Sequence, residues 1–278
     1  MGNGAIGAIT AHGLRVRGPD VATWGGQARP AVLVVGGLDS SGGAGVLRDV
    51  QAIAGLGGNA RVAVTAVTAQ TDRAVLNVHP VPLATLHAQI DAALAQGPVG
   101  AVKIGMLGRA AVVRAVVAML PREVPWVIDP VLASSSGACL LEPTGVEALL
   151  DELLPQAALL TPNLPELATL AACCGVKMTD AEKGGIAATA LLARVPAVLV
   201  KGGHAPAAAC VVDRLYLRGG RVRAFTGPRH PFTLRGTGCA LSSLIAAALA
   251  QGDGLEVATG RARVALAAWF QAHAYGQD

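Results

Sequence analysis

The sequence predicts an α/β protein of three layers, in which helices cover both faces of a mostly parallel central sheet. Strand-like and helix-like segments alternate along the 278-residue chain from residue 31 onward. Apolar residues make up 53% of the chain and aromatic residues only 3%, so Ala, Val and Leu must form the core. Such a composition suits strands that are buried on both faces. Charged residues account for only 14%, which argues against extensive disorder.

Glycine and proline mark the ends of several predicted elements. The first strand is a short apolar run that begins at Ala31, and the first helix ends at Gly57-Gly58. Pro121 ends a later helix, and Gly219-Gly220 joins two strands of a hairpin. In chain order, the predicted elements are strand 31–35, helix 44–57, strand 60–67, helix 83–96, strand 100–104, helix 109–120, strand 124–128, helix 143–153, strand 157–161, helix 164–174, helix 180–194, strand 197–201, strands 209–217 and 221–226, and helices 238–251 and 255–273.

The chain is predicted to form one domain, residues 30–278, after an N-terminal extension. Residues 1–29 are rich in Gly, Arg and Ala and have no sustained periodicity, so we expect them to be poorly ordered. Beyond residue 30 the sequence contains no internal repeat and no linker-like segment.

The composition also excludes several classes of function. Mean hydropathy is +0.51, but the chain contains no uncharged apolar run of about 18 residues. It also has no signal-peptide pattern at its start, so we expect a cytoplasmic protein without a membrane partner. The net charge of +4 is scattered rather than clustered, which argues against a nucleic-acid partner. The odd number of cysteines and the lack of a CxxC motif predict free thiols at Cys139, Cys173, Cys174, Cys210 and Cys239.

The last strand-to-helix turn predicts an anion-binding site. In sheets of this kind, ligands bind at the carboxyl ends of the strands. The segment 235–242 reads RGTGCALS and opens a long Ala-rich helix. Gly236 and Gly238 let backbone N–H groups converge at the positive end of the helix dipole. A cysteine in this place, Cys239, is expected to have its thiolate favoured. The alternative interpretation is a tight turn followed by a small core cysteine.

The first strand-to-helix turn is rich in glycine and precedes two polar residues of interest. Segment 36–45 reads GGLDSSGGAG, and neither a GxGxxG nor a GxxxxGK[ST] motif occurs, which disfavours a P-loop kinase. Asp49 lies in an otherwise apolar helix, and Gln70 follows the next strand. A carboxamide offers an acceptor beside two donors, which matches an aminopyrimidine edge. Packing alone for the glycines and backbone capping by Gln70 are the alternatives.

Later strand ends carry carboxylates and a lysine. Asp129 and Glu166 are candidate Mg²⁺ ligands, since this ion takes few carboxylates and keeps several waters. Asn163 is a good helix N-cap, so Glu166 also fits a capping box that satisfies backbone N–H groups. Lys201 is expected to contact phosphate, with a solvated lysine as the alternative; together with Asn163 it forms the predicted ATP side.

These segments together resemble the hydroxymethylpyrimidine/phosphomethylpyrimidine kinase family of thiamine biosynthesis, over about residues 31–260. The resemblance implies a ribokinase-like fold, use of ATP and Mg²⁺, and usually a homodimer. It implies transfer of the γ-phosphoryl group to 4-amino-5-hydroxymethyl-2-methylpyrimidine and then to its monophosphate. The matching segments are Val34–Gly45 with Asp49, Thr65–Gln70, Lys103–Leu107, Ile128–Val131, Thr161–Glu166, Lys201–His204 and Gly236–Ser242.

The same resemblance implies a role for each matched position. Cys239 stands where sugar kinases of this superfamily place an Asp base, and it would accept the hydroxymethyl proton or orient that hydroxyl. Asp129 and Glu166 form the metal side. The anion hole is formed by Gly236, Thr237 and Gly238, and the pyrimidine is read by Gln70 in a pocket lined by Gly37, Asp49 and Met106.

Two departures from the family pattern bear on the substrate. The family usually continues Gln-Asn-Thr with a Gly soon after, whereas segment 70–74 here reads QTDRA. Arg235 replaces the family's His before the anion-hole glycine, and it is expected to add a positive charge near the phosphates. The alternatives are therefore a pyridoxal or pyridoxine kinase and a non-catalytic ligand-binding relative.

Overall fold

A computed structural model describes residues 31–134, 136–177, 184–204, 210–230 and 234–274. Within these residues, nine strands form one sheet in the order β3-β2-β1-β4-β5-β6-β7-β8-β9. Neighbours from β2 to β7 pair in parallel, and β3, β8 and β9 pair antiparallel at the two edges. The strands are β1 (Ala31–Asp39), β2 (Asn59–Gln70), β3 (Val75–Pro80), β4 (Ala101–Ile104), β5 (Trp126–Ile128), β6 (Leu159–Leu160), β7 (Ala197–Val200), β8 (Cys210–Leu217) and β9 (Val222–Pro228).

Helices cover both faces of the sheet, as the alternation of residues in β1 illustrates. Leu33 and Val35 belong to the core under α2–α6, whereas Val32 and Val34 belong to the core under α1, α7 and α8. The predicted three-layer α/β/α fold is therefore confirmed. The helices are α1 (Gly45–Gly55), α2 (Leu83–Ala95), α3 (Ala110–Met119), α4 (Pro143–Ala148), α5 (Leu164–Cys173), α6 (Gly185–Leu191), α7 (Thr237–Ala250) and α8 (Leu255–Ala274).

The edge of the sheet at β2 and β3 differs most from the prediction. β3 was not predicted, because its outward-facing positions include the exposed Leu76 and the strand ends at Pro80. Its pairing with β2 extends that strand to Gln70, three residues beyond the predicted end. Strands are recognised in a sequence by the apolar pattern of their buried residues. A half-exposed edge strand has too few buried residues to show this pattern.

Other elements keep their identity, but their boundaries shift, and β1 continues to Asp39, four residues beyond its predicted end. The predicted helix 143–153 is α-helical only to Ala148 and continues as a π-helical turn at Leu149–Leu153. Helix 180–194 is seen as Gly185–Leu191, and its residues 180–183 lie outside the described ranges, as does the proposed extension 1–29. In the described part of the chain, no helix is long and apolar enough to span a membrane.

Parallel pairing brings the carboxyl ends of the central strands to one edge of the sheet. β1 ends at Asp39, β4 ends before Gly105, and β5 ends before Asp129. β6 and β7 lead into Asn163 and Lys201, which form a bridge with each other. The candidate site residues that follow these strands therefore lie at one edge of the sheet, where ligands of such sheets bind.

Candidate active site

The N-terminus of α7 is open towards this edge. Gly236 precedes the helix with a φ of +73°, and no side chain caps the first turn. A Cβ at Gly236 would lie 2.4 Å from the carbonyl oxygen of Gly43, so the helix start packs directly on the β1–α1 turn. Only glycine combines this backbone conformation with this close approach. The N–H groups of the first turn, from Thr237 onward, are thus available to an anion.

The α7 start lies beside the groups that follow β5 and β7. A Cβ at Gly238 would lie 3.0 Å from Lys201 Nζ and 3.8 Å from Asp129 Oδ2. The next residue, Cys239, is partly buried, and its thiol lies near enough to the Asp129 carboxylate for each group to shift the pKa of the other. The structure therefore brings together the predicted anion hole, the predicted metal side and the cysteine.

Cys239 does not have the favoured thiolate that its position suggested. Burial raises the pKa of the thiol to about 12, and the carboxylates of Asp129 and Asp49 act in the same direction. Lys103 and a backbone hydrogen bond from Gly45 oppose this shift without overcoming it. Desolvation thus outweighs the neighbouring lysine, and Cys239 is a neutral thiol near pH 7 in the free protein.

Lys201 lies between the two predicted metal ligands. Its Nζ is 2.6 Å from Asp129 Oδ1 and 3.8 Å from Glu166 Oε2. Burial by itself would raise the pKa of Asp129, but Lys201 and Lys103 outweigh it and hold that pKa below its ordinary value. Burial raises the pKa of Glu166 to about 7, and Asp129 adds to the rise while Lys201 opposes it.

Asn163 and Glu166 form the capping box that the sequence indicated. Asn163 Oδ1 accepts a hydrogen bond from the Glu166 N–H at 2.8 Å, and Glu166 Oε2 accepts one from the Asn163 N–H at 2.8 Å. The box fixes the start of α5. It holds Glu166 next to Lys201 at the same time, so the structural role is compatible with the predicted metal and ATP roles of these residues.

The carboxylate pair suits Mg²⁺ by its donor chemistry. Asp129 and Glu166 offer hard oxygen ligands on neighbouring strand ends, both within reach of one cation, Lys201 Nζ. Mg²⁺ is commonly held by one or two carboxylates, with substrate phosphates and water completing its coordination. Among the described residues there is no cluster of three or more His, Cys, Asp or Glu that would enclose a metal by itself.

The buried Asp49 carboxylate is bound by two other side chains of the protein. Lys103 Nζ contacts its two carboxylate oxygens at 2.8 and 2.9 Å, and Ser243 Oγ donates to Oδ1 at 2.8 Å. Burial would lower the pKa of Lys103, but Asp49, with Cys239 and Asp129, more than offsets this effect and raises it. The contact of Asp49 with a pyrimidine remains a prediction.

The other predicted substrate residues lie around the ends of β1 and β2. A Cβ at Gly37 would lie 2.7 Å from the sulfur of Met106, so these two residues are in contact. The Gln70 carboxamide oxygen accepts a hydrogen bond from Thr68 at 3.2 Å, and the Gln70 backbone bonds with Ser40 Oγ. Because Ser40 serves the backbone, the Gln70 side chain is not needed as a backbone cap.

Four residues around the site were given no role by sequence reasoning. Lys103 and Ser243 hold Asp49, while Asp213 Oδ1 accepts the Gly202 N–H at 2.7 Å and steadies the loop after Lys201. Arg263 pairs with the other Asp213 oxygen at 3.1 Å. A lysine inside the apolar strand β4 was the one available signal, since buried charges require a partner.

Comparison with known proteins identifies the family to which the chain is similar. Residues 39–276 match the family model of phosphomethylpyrimidine kinase. A hydroxymethylpyrimidine/phosphomethylpyrimidine kinase of Mycobacterium tuberculosis is 42% identical over 232 residues, which cover 82% of this chain and 83% of that protein. One from Haemophilus influenzae is 37% identical over 240 residues, covering 84% and 87%.

Solved structures show the same fold. The phosphomethylpyrimidine kinase of Clostridium difficile 630 superposes with a TM-score of 0.74 at 29% identity, covering 87% of this chain and all of that one. The pyridoxal kinase of Staphylococcus aureus in complex with pyridoxal gives 0.76 at 29% identity, covering 87% of each chain.

The fold and the site define a phosphotransferase that acts on small molecules. The chain belongs to the phosphomethylpyrimidine kinase family.

Proposed function

We propose that the protein uses ATP to phosphorylate 4-amino-5-hydroxymethyl-2-methylpyrimidine and then its monophosphate, in thiamine biosynthesis. The main support is the uncapped start of α7, which carries Cys239 and lies beside Lys201 and Asp129 at the strand ends. Relatives named for both phosphorylation steps, and a Geobacter sulfurreducens relative named as a thiamine biosynthesis bifunctional protein, support the substrate.

Phosphoryl transfer requires positioning and charge neutralisation more than covalent chemistry. In this proposal the N–H groups of Thr237 and Gly238 bind the oxygens of the migrating group. Lys201 and Asn163 lie on the ATP side. Asp129 and Glu166 would hold Mg²⁺, which when bound neutralises charge on the phosphates.

We assign Cys239 the role of orienting the substrate hydroxyl rather than removing its proton in the resting enzyme. A thiol whose pKa is raised to about 12 is protonated at neutral pH, and a loose transition state needs little help from a base before bond formation. Its place in the first turn of α7, next to Gly238, brings the thiol close to Lys201 and Asp129, where the reacting oxygen must lie.

Gln70 is proposed to read the aminopyrimidine edge, with Gly37 and Met106 forming the floor of the pocket. The Gly37–Met106 contact and the position of Gln70 at the end of β2 support this arrangement. The two steps occur in this order because the monophosphate formed in the first step is the substrate of the second.

Pyridoxine phosphorylation is the second candidate function, because the S. aureus pyridoxal kinase has a closely similar structure and the turn after Gln70 departs from the family pattern. A coupled ADP assay with hydroxymethylpyrimidine, its monophosphate and pyridoxine separates the candidates. We expect the largest kcat/KM for the two pyrimidines. A larger value for pyridoxine would favour the second function, and no ADP with any of them would indicate a non-catalytic relative.

The expectations of a homodimer in the cytoplasm, without nucleic-acid or membrane partners, remain predictions. Sedimentation of the purified chain would test the first of them.

A further inference from the structure

Arg235 connects three segments that are far apart in sequence. Its Nη2 is 3.1 Å from Asp39 Oδ2 at the end of β1. Its Nη1 donates to Ser41 Oγ at 3.0 Å, to the Thr71 carbonyl at 3.1 Å and to Asp72 Oδ1 at 3.0 Å. Arg235 itself immediately precedes the α7 start. One guanidinium therefore joins the β1–α1 turn, the turn after β2 and the proposed anion hole.

The turn after β2, residues 71–74, is a compact unit that can be held as one piece. The Thr71 N–H donates to the Ala74 carbonyl at 2.9 Å, and Thr71 Oγ1 accepts from the N–H groups of Arg73 and Ala74 at 3.2 and 3.1 Å. This turn directly follows Gln70, so its position sets where the Gln70 carboxamide lies relative to the α7 start.

The charge of Arg235 is matched within the protein. The Asp39 side chain is only 5% exposed and that of Arg235 20%, so their ion pair is largely shielded from water, while Asp72 is 83% exposed. Asp39 also receives hydrogen bonds from the Ser41 N–H and Oγ at 2.9 and 2.8 Å. A guanidinium neutralised in this way is suited to holding loops together. It is less suited to attracting phosphate, the role that its sequence position had suggested.

We propose that Arg235 is a positioning residue that holds the 71–74 turn against the β1–α1 turn and so fixes the distance between the pyrimidine-reading Gln70 and the anion hole. The proposal rests on the proposed function for its substrate. A planar guanidinium with several donors can contact four acceptors at once, whereas the ammonium of lysine cannot match that geometry. The role is therefore specific to arginine.

Steady-state kinetics and hydrogen exchange of Arg235→Ala and Arg235→Lys test this role. We expect the KM for hydroxymethylpyrimidine to rise at least about tenfold in Arg235→Ala, because the substrate is misplaced. The KM for ATP should stay within about twofold. Amides of residues 71–74 should exchange faster in both variants. Arg223→Ala, which removes an exposed arginine from β9, is the matched control and should change none of these.

The milder variant Asp72→Asn keeps the test decisive if Arg235→Ala does not fold. It removes only the exposed ion pair between Asp72 and Arg235. We expect a smaller rise in the KM for the alcohol and a smaller increase in the exchange rate of residues 71–74. A higher KM for ATP with an unchanged alcohol KM would make Arg235 a phosphate ligand and overturn the proposal, as would unchanged exchange at residues 71–74. If the wild type forms no ADP with the pyrimidine, the proposed function fails, yet the exchange result still decides the role of Arg235.

Discussion

Cys239 illustrates that a place at a helix start does not by itself decide the protonation state of a thiol. The dipole and N–H groups of α7 favour a negative sulfur, but burial and two nearby carboxylates raise the pKa of the thiol to about 12. Sequence reasoning located this residue at the site, since the turn and the helix start are visible in the chain. It could not foresee the protonation state, because burial and the approach of Asp49 and Asp129 arise only in the fold.

The first prediction concerns the reactivity of this thiol. At pH 8, Cys239 should react with iodoacetamide at least about a hundredfold more slowly than an ordinary exposed thiol, since only the thiolate is nucleophilic. Its rate should increase as pH rises for as long as the protein stays folded. Peptide mass spectrometry reads each cysteine separately, with the exposed Cys173 as internal control. Cys239 reacting as fast as Cys173 would show that its thiolate is stabilised.

The second prediction concerns Gln70. Gln70→Ala should raise the KM for hydroxymethylpyrimidine about tenfold or more and change kcat little. The hydrogen bonds between the Gln70 carboxamide and the pyrimidine ring are lost equally in the ground state and in the transition state. Gln271→Ala, an exposed position in α8, is the control. An alcohol KM equal to that of the wild type would remove Gln70 from the pocket.

At the scale of elements, one buried cluster joins three of them beneath the site. Lys103 of β4, Asp49 of α1 and Ser243 of α7 meet in a place that water does not reach. The partners are 54 and 194 residues apart in sequence. Each residue type is visible in the chain, but their pairing depends on how the helices pack on the sheet, so sequence reasoning assigned Asp49 to the substrate pocket alone.

The third prediction tests this cluster. Asp49→Asn should lower the free energy of unfolding by about 3–5 kcal/mol, because the buried Lys103 ammonium loses the carboxylate that it directly contacts. The double variant Asp49→Asn with Lys103→Met should recover much of that loss, since the uncompensated charge is gone. Urea unfolding measures both variants. If the single and double variants were equally destabilised, the loss would not come from an unpaired charge.

At the scale of the whole molecule, the topology of the sheet brings the candidate functional residues to one edge. Parallel pairing from β2 to β7 brings the ends of β1, β4, β5, β6 and β7 to one edge, and α7 opens onto the same edge. Because ligands of such sheets generally bind at this edge, the fold class and the grouping of the candidate residues there followed from the alternation of strands and helices. The edge strand β3 and the position of Arg235 did not, since both depend on contacts that no local pattern records.

We propose that phosphate is transferred at the start of α7, beside Cys239. The most direct test compares kcat and ATP affinity in Cys239→Ala, with Cys173→Ala as control. We predict that kcat falls at least about a hundredfold, because the hydroxyl is no longer oriented, while the Kd for ATP stays within about threefold. Unchanged turnover in Cys239→Ala, with ATP still bound, would contradict the account.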